Sequence, residues 1–188
     1  MRLSFIIFIF IRISSISAQT ISLEGIIDLD RAGQIILGES LENTLKRMEN
    51  ITVIYTDHGS SKIFSDTNEV LTIGSKKQNG KIDYIEIKSP KFETRLGLKT
   101  GMSIEQITGI YPSIKVNLDE TSGETYIAPY ELQNYNGSKP ESLCLFYLET
   151  NESSETINFV LNELNQTFEA DLKGNTGKIK YIRIYKWE

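Results

Sequence analysis

Apolar positions alternate with polar ones over most of the chain, and a helical spacing interrupts that alternation twice. Ile51 to Thr56, Lys62 to Ser65, Val70 to Gly74 and Lys81 to Lys88 each read as a strand. A second set follows at Ile114 to Leu118, Thr125 to Ala128, Leu143 to Glu149, Thr156 to Leu161, Thr167 to Lys173 and Lys178 to Lys186. Asn79-Gly80 and Gly174-Asn175-Thr176-Gly177 supply turn chemistry between strands. The helical spacings are Leu41, Thr44, Leu45, Met48 and Ile104, Ile107, Tyr111. A serine precedes each, Ser40 and Ser103, where its hydroxyl can accept a free N–H of the first turn. Glu42 suits the first helix's dipole, and Pro112 stops the second helix.

The two sets resemble each other. Gly38-Glu39-Ser40-Leu41-Glu42-Asn43 matches Gly101-Met102-Ser103-Ile104-Glu105-Gln106 at an offset of 63, which also aligns Ile51 and Val53 with Ile114 and Val116. Gly80-Lys81-Ile82-Asp83-Tyr84-Ile85-Glu86-Ile87 matches Gly177-Lys178-Ile179-Lys180-Tyr181-Ile182-Arg183-Ile184 at an offset of 97. The second offset exceeds the first by 34, so the second copy carries about 34 extra residues. The expected fold is α+β, two related units, each a short helix packed on an antiparallel β-meander. Ile35–Leu37 reads as a short strand opening the first unit. The boundaries read as a lead segment at 19–34, unit one at 35–89, ending at Ser89-Pro90, and unit two at 90–188. Ile85, Ile87, Ile182 and Ile184 should face the core. Asp83 and Glu86 correspond to Lys180 and Arg183. The plain reading of these charges is a solvated face. Opposite signs at equivalent places would also let the two strands pair about a pseudo-twofold axis.

Residues 1–18 have another pattern. Met1-Arg2 precedes the nine apolar residues Leu3 to Ile11, and small and polar residues run to Ala18. That order is a signal peptide, and nine residues fall far short of the roughly 20 that span a bilayer. No second long apolar run follows, so the expectation is an exported chain, periplasmic or extracellular, with no membrane span after cleavage.

Composition narrows the function. With 20 basic and 25 acidic residues the formal net charge is −5, which argues against a broad grip on nucleic acid. A single cysteine, Cys144 in an apolar strand, excludes an intramolecular disulfide and reads as a small buried hydrophobe. The single histidine, His58, lies in Asp57-His58-Gly59-Ser60-Ser61, which is turn chemistry, because neighbours in a turn seldom converge on one reacting atom. No cofactor is expected. Asp28, Asp30, Gly33 and Glu39 fit four positions of a calcium loop, but Ala32 and Ile36 stand where two further oxygen ligands belong, so an acidic turn is the main reading.

The extra residues of unit two hold the candidate contact surface. Tyr126, Tyr130, Tyr135 and Asn136 cluster there with Pro129 and Gly137. Tyrosine and asparagine in loops give adaptable contacts at low entropic cost, as protein or glycan recognition needs. The alternative is that these tyrosines cap a longer sheet.

The Gly-x-Ser-apolar-Glu helix start followed by a meander resembles the tandem repeats of the β-lactamase-inhibitor-protein group and the single-unit envelope proteins of the BamE (SmpA/OmlA) type. Ser89 to Thr94 and Leu96 to Ser103 are also similar to uncharacterised exported proteins of Bacteroidetes. The resemblance implies small helix-on-antiparallel-sheet units, an extracytoplasmic site and protein binding rather than catalysis. The chain lacks the lipobox cysteine of one group and the disulfide cysteines of the other, so β-lactamase inhibition is not carried over. The functional expectation is a non-catalytic exported binding protein. The alternatives are a carboxylate-dependent hydrolase assembled only in three dimensions, and an inhibitor or immunity-type protein.

Overall fold

A computed structural model describes residues 19–75, 80–112, 114–119, 121–129, 142–150, 160–162, 167–171 and 177–186. The fold is α+β. In chain order the elements are β1 (Gly25–Asp28), β2 (Arg31–Ala32), β3 (Ile35–Ile36), α1 (Leu41–Lys46), β4 (Thr52–Tyr55), β5 (Ser60–Ser65), β6 (Asn68–Gly74) and β7 (Tyr84–Ile87). There follow β8 (Phe92–Thr94), α2 (Ile104–Ile110), β9 (Lys115–Leu118), β10 (Thr125–Ile127), β11 (Ser142–Thr150), β12 (Val160–Asn162), β13 (Thr167–Asp171) and β14 (Gly177–Lys186). The residues of the N-terminal apolar run, 1–18, lie outside the described residues.

Both helices start where the serines place them. Ser40 Oγ accepts Asn43 N–H at 3.3 Å. Ser103 and Gln106 form a reciprocal capping box, with bonds of 3.2 and 2.9 Å. Helices of six and seven residues are too short to stand alone. They hold because Thr44, Ile104 and Ile107 are buried and Leu41 and Leu45 pack against the hydrophobic core.

That sheet has ten strands in the order β12-β13-β9-β10-β11-β14-β7-β6-β5-β4, all antiparallel. Its two halves meet at β14 and β7, where Ile182 stands opposite Ile87 and Ile184 opposite Ile85. All four isoleucines are fully buried, each worth about 1.5–3 kcal/mol relative to exposure. From that seam outward each half runs through the same succession: β7, β6, β5, β4 on one side and β14, β11, β10, β9 on the other. Each half also ties its helix start to the backbone at Ile82, just before β7, or at Ile179, near the start of β14. Gly38 N–H donates to Ile82 O at 2.7 Å and Ile82 N–H to Glu39 O at 2.9 Å. Gly101 N–H donates to Ile179 O at 2.8 Å and Ile179 N–H to Met102 O at 2.9 Å. Ser40 bridges Lys81, and Ser103 bridges Lys178.

The halves differ in their links. Residues 66–67 join β5 to β6, whereas 128–141 join β10 to β11. Residues 75–83 join β6 to β7, whereas 151–176 join β11 to β14 and include β12 and β13. The added hairpin lies outside β9, so the extra length of the second half extends the sheet.

A second sheet, β3-β2-β1-β8, is small. The hydrophobic pattern gives no sign of β1, β2 or β8, which are two to four residues long. β8 follows Ser89-Pro90 and pairs in parallel with β1, so the boundary expected there is a turn that returns the chain to the lead segment. One hydrophobic cluster draws residues from both halves and from the small sheet, including Ile27, Ile35, Phe92, Ile107 and Ile182.

Candidate functional site: the outer face of the sheet

Strand alternation sends Ile85, Ile87, Ile182 and Ile184 toward the core and their neighbours to the opposite face. That outer face carries Tyr126 on β10, Leu145 and Tyr147 on β11, Tyr181, Arg183 and Tyr185 on β14, and Glu86 on β7. Tyr126 stands opposite Tyr147, and Tyr147 opposite Tyr181. The rings of Tyr147 and Tyr181 stack at 4.5 Å with 19° between planes, and Tyr126 tilts against Tyr147 at 5.8 Å. Arg183 lies 4.9 Å from the Tyr147 ring centre and 5.2 Å from that of Tyr181. Tyr147, Tyr181 and Leu145 are only 2%, 5% and 6% exposed. They form a second apolar cluster with Tyr126, Ala128 and Tyr185 at its margin.

The polar tips of Tyr147, Tyr181 and Arg183 have partners. Tyr147 Oη donates to Asp119 Oδ2 at 3.0 Å, and Tyr181 Oη donates to Glu124 Oε2 at 2.5 Å. Lys180 Nζ donates to Glu124 Oε1 at 2.8 Å. Arg183 donates to Glu86 Oε2 at 2.8 Å. Glu86 also meets Lys88 at 3.4 Å, and Lys88 reaches Glu69 at 2.7 Å. Thr72 Oγ1 donates to Glu69 at 2.7 Å.

These contacts hold the ionisation states apart. Burial alone would raise the Asp119 carboxyl, but the Ser122 N–H, the Tyr147 hydroxyl and the Thr121 N–H hold it below its ordinary value. At Glu124 burial is likewise outweighed, here by Lys180 and Tyr181. At Glu69, Lys88 and Thr72 outweigh it. Burial, joined by the nearby carboxylates, pushes the Tyr147 and Tyr181 hydroxyls well above the usual phenol range. Burial pushes Tyr185 up to about 12. Burial works against the Arg183 charge, but Glu86 more than offsets it and raises that group. The face therefore carries fixed carboxylates, a fixed cation and neutral phenols at neutral pH. It suits hydrogen bonding and stacking, and none of these shifts poises a group for proton transfer near pH 7.

One pair of positions breaks the likeness of the halves. Gly74 stands opposite Tyr84 where the other half has Tyr147 opposite Tyr181. A Cβ on Gly74 would come within 2.6 Å of the Tyr84 ring, so glycine lets that ring lie over the strand.

The residues singled out from sequence fall in different places. Tyr126 is half-buried in the cluster. Tyr130, Tyr135 and Asn136 lie outside the described residues. His58 is exposed in the turn between β4 and β5, and the Ser60 hydroxyl is engaged with Thr56 Oγ1 at 2.5 Å, so no nucleophile–base pair forms there. The calcium-like span is the β1–β2–β3 meander. Asp28 Oδ1 accepts Leu29 N–H at 3.0 Å, Asp30 pairs with Arg31 at 2.9 Å, and Glu39 pairs with Arg47 at 2.8 Å. Its carboxylates thus turn to separate partners, and among the described residues no group of three or more His, Cys, Asp or Glu is placed to hold a metal. Gly33 is explained otherwise: its φ is +58°, and a Cβ there would lie 2.5 Å from Glu24 O. Cys144 is fully buried, and burial, with a smaller effect of Asp28, raises its thiol well above the usual range.

Sequence reasoning passed over Tyr147, Tyr181, Tyr185, Asp119 and Glu124. The available signal was three tyrosines at strand positions where alternation calls for polar residues.

No helix among the described residues is long and apolar enough to cross a membrane. No protein-family model matches the chain, and no curated protein matches it. Among solved structures, the uncharacterized protein YfeY from Escherichia coli is similar over 87% of this chain and 100% of its own, with a TM-score of 0.53 and 10% sequence identity. At that identity the likeness is one of fold alone.

Proposed function

We propose that this chain is a non-catalytic exported binding protein that engages a protein or glycan of the cell envelope through the outer face of its sheet. The observation that carries this reading is the tyrosine–arginine cluster. Its rings are held rigid by stacking, and its charges are already matched by neighbours. Such a buried, ordered platform holds the half-buried Tyr126 and Tyr185 in place at its margin, where a partner would meet them at little cost in conformational entropy. Tyr126 lies at the margin of the cluster and begins the stretch that contains Tyr130, Tyr135 and Asn136. A duplicated unit, as in the tandem-repeat inhibitor proteins that the sequence resembles, accounts for the two matching helix-to-strand ties. The N-terminal apolar run supports export.

The experiment is capture from a native envelope extract with the immobilised chain as bait, read by mass spectrometry. The same partner should be retained by the unmodified chain and depleted at least several-fold by Tyr126→Ala, and by Tyr130→Ala with Tyr135→Ala. Undiminished capture by these variants would remove the tyrosine face from consideration. Export is tested separately, by N-terminal sequencing of the expressed protein. A start at or next to Gln19 is expected, and an intact Met1 on a cytoplasmic product would refute it.

A further inference from the structure

Among the described residues the ten-stranded sheet ends at β4. Thr56 N–H donates to Ser60 O at 2.9 Å. Bonding residues alternate along an antiparallel ladder, so Thr52, Ile54 and Thr56 face β5. The N–H and C=O of Val53 and Tyr55 consequently point away from β5, toward the edge.

The other half contains the same edge, covered. Asp119 N–H donates to Glu124 O at 2.8 Å, so the same parity turns Val116 and Leu118 away from β10. There β13 meets β9, with Ala170 opposite Val116. Val116 is fully buried. Val53, its counterpart 63 residues earlier, lines an open groove of about 530 Å³ together with Leu41, Leu45, Met48, Ile51 and Tyr55.

Charge decides what fits. The strand on β9 is acidic, with Asp171 opposite Lys115 and Glu169 opposite Asn117. At the matching places β4 has Thr52 and Ile54, so an uncharged apolar strand suits it. β4 is itself such a strand, Thr-Val-Ile-Tyr. It has none of the lysines or prolines that guard natural edges, and it exposes Ile54 at 50% and Tyr55 at 74%.

We infer that β4 is a self-pairing edge: two copies of this chain join antiparallel through Val53 and Tyr55, about a twofold axis at Ile54, and their sheets become one. In that register Val53 faces the partner's Tyr55 and Thr52 faces the partner's Thr56. Ile54 faces its own copy at a non-hydrogen-bonded position, where Cα atoms approach to about 4.5 Å. No like charges are opposed within the strand, and the partner's Tyr55 enters the groove beside α1.

The register makes a sharp test. Ile54→Cys, at low micromolar concentration with a mild oxidant, should give a disulfide-linked dimer, because the separation is one a disulfide spans. Thr52→Cys should not, because its copy would lie about 13 Å away along the strand. By sedimentation or light scattering the unmodified protein should have twice the chain mass at tens of micromolar. Tyr55→Pro, which removes an edge N–H and none of the bonds to β5, should return it to the single-chain mass, as should Ile54→Lys. Circular dichroism melting checks that both variants fold. A single-chain mass at every concentration would overturn the inference. So would equal cross-linking at both cysteines, or a dimer that survives both edge variants.

Discussion

Arg183 of β14 stands directly opposite Glu86 of β7, with its guanidinium 2.8 Å from the carboxylate, and the two residues are counterparts separated by 97 positions. The ion pair lies at the seam of the sheet, with β14, β11, β10 and β9 running outward on one side and β7, β6, β5 and β4 on the other. The pair is largely shielded, with side-chain exposures of 32% and 14%, so neither charge can be stranded cheaply. Arg183→Met and Glu86→Gln should each lower the unfolding free energy by about 1–3 kcal/mol in urea titrations. The double variant should cost less than the two together, by about 1 kcal/mol. Strict additivity would mean that the contact contributes nothing of its own.

Acid should loosen the outer face. Asp119, Glu124 and Glu69 bind protons less readily in the folded chain than their ordinary values of 3.8, 4.5 and 4.5 would give. The stability they contribute is complete above those values and is lost as pH falls through the lower folded ones. Unfolding free energy should therefore decline between about pH 5 and pH 3. Asp119→Asn should make that decline shallower in a series of titrations at stepped pH.

The helix starts can be compared with each other. Ser103→Ala removes one of two reciprocal bonds and should cost about 1 kcal/mol. Ser40→Ala loses a single, longer bond of 3.3 Å and should cost less. Thermal melts of both variants would rank them, and the reverse order would contradict the cap geometry.

Gly33 separates a turn from a calcium loop. Gly33→Ala forces a side chain onto Glu24 O and should destabilise by about 1–3 kcal/mol, in millimolar calcium and in chelator alike. A melting temperature that rises with calcium would restore a metal role to Asp28, Asp30 and Glu39.

Cys144 should be silent toward a thiol reagent in the native state. Its labelling rate should rise only as denaturant unfolds the chain, because the sulfur is fully buried and its thiol is held protonated. Rapid native labelling would mean that the β11–β14 pair opens locally.

Much of the fold could be read from local rules, and the exceptions have a physical cause. Serine before a helical spacing placed both helix starts, because a cap needs only a hydroxyl and a following apolar face. The repeated Gly-Lys-Ile-x-Tyr-Ile-x-Ile run placed β14 and its match around β7, because strand alternation is set by burial. β1, β2 and β8 escaped notice because two to four residues carry no period, and because β1 is defined by a parallel partner more than sixty positions away. The outer cluster escaped for a related reason. Asp119 and Glu124 acquire their roles only when the ladder brings them beside Tyr147 and Tyr181, and nothing near them in the chain announces those partners.

The exchange of Tyr147 for Gly74 gives the sheet a sense of direction. On either side of the β14–β7 seam the strands follow the same order for four places, but the relief upon them differs: one side bears a stacked pair of rings, the other a single ring laid over a glycine. A body settling there would meet two unlike footholds and could seat in only one of the two orientations that the strands alone would allow.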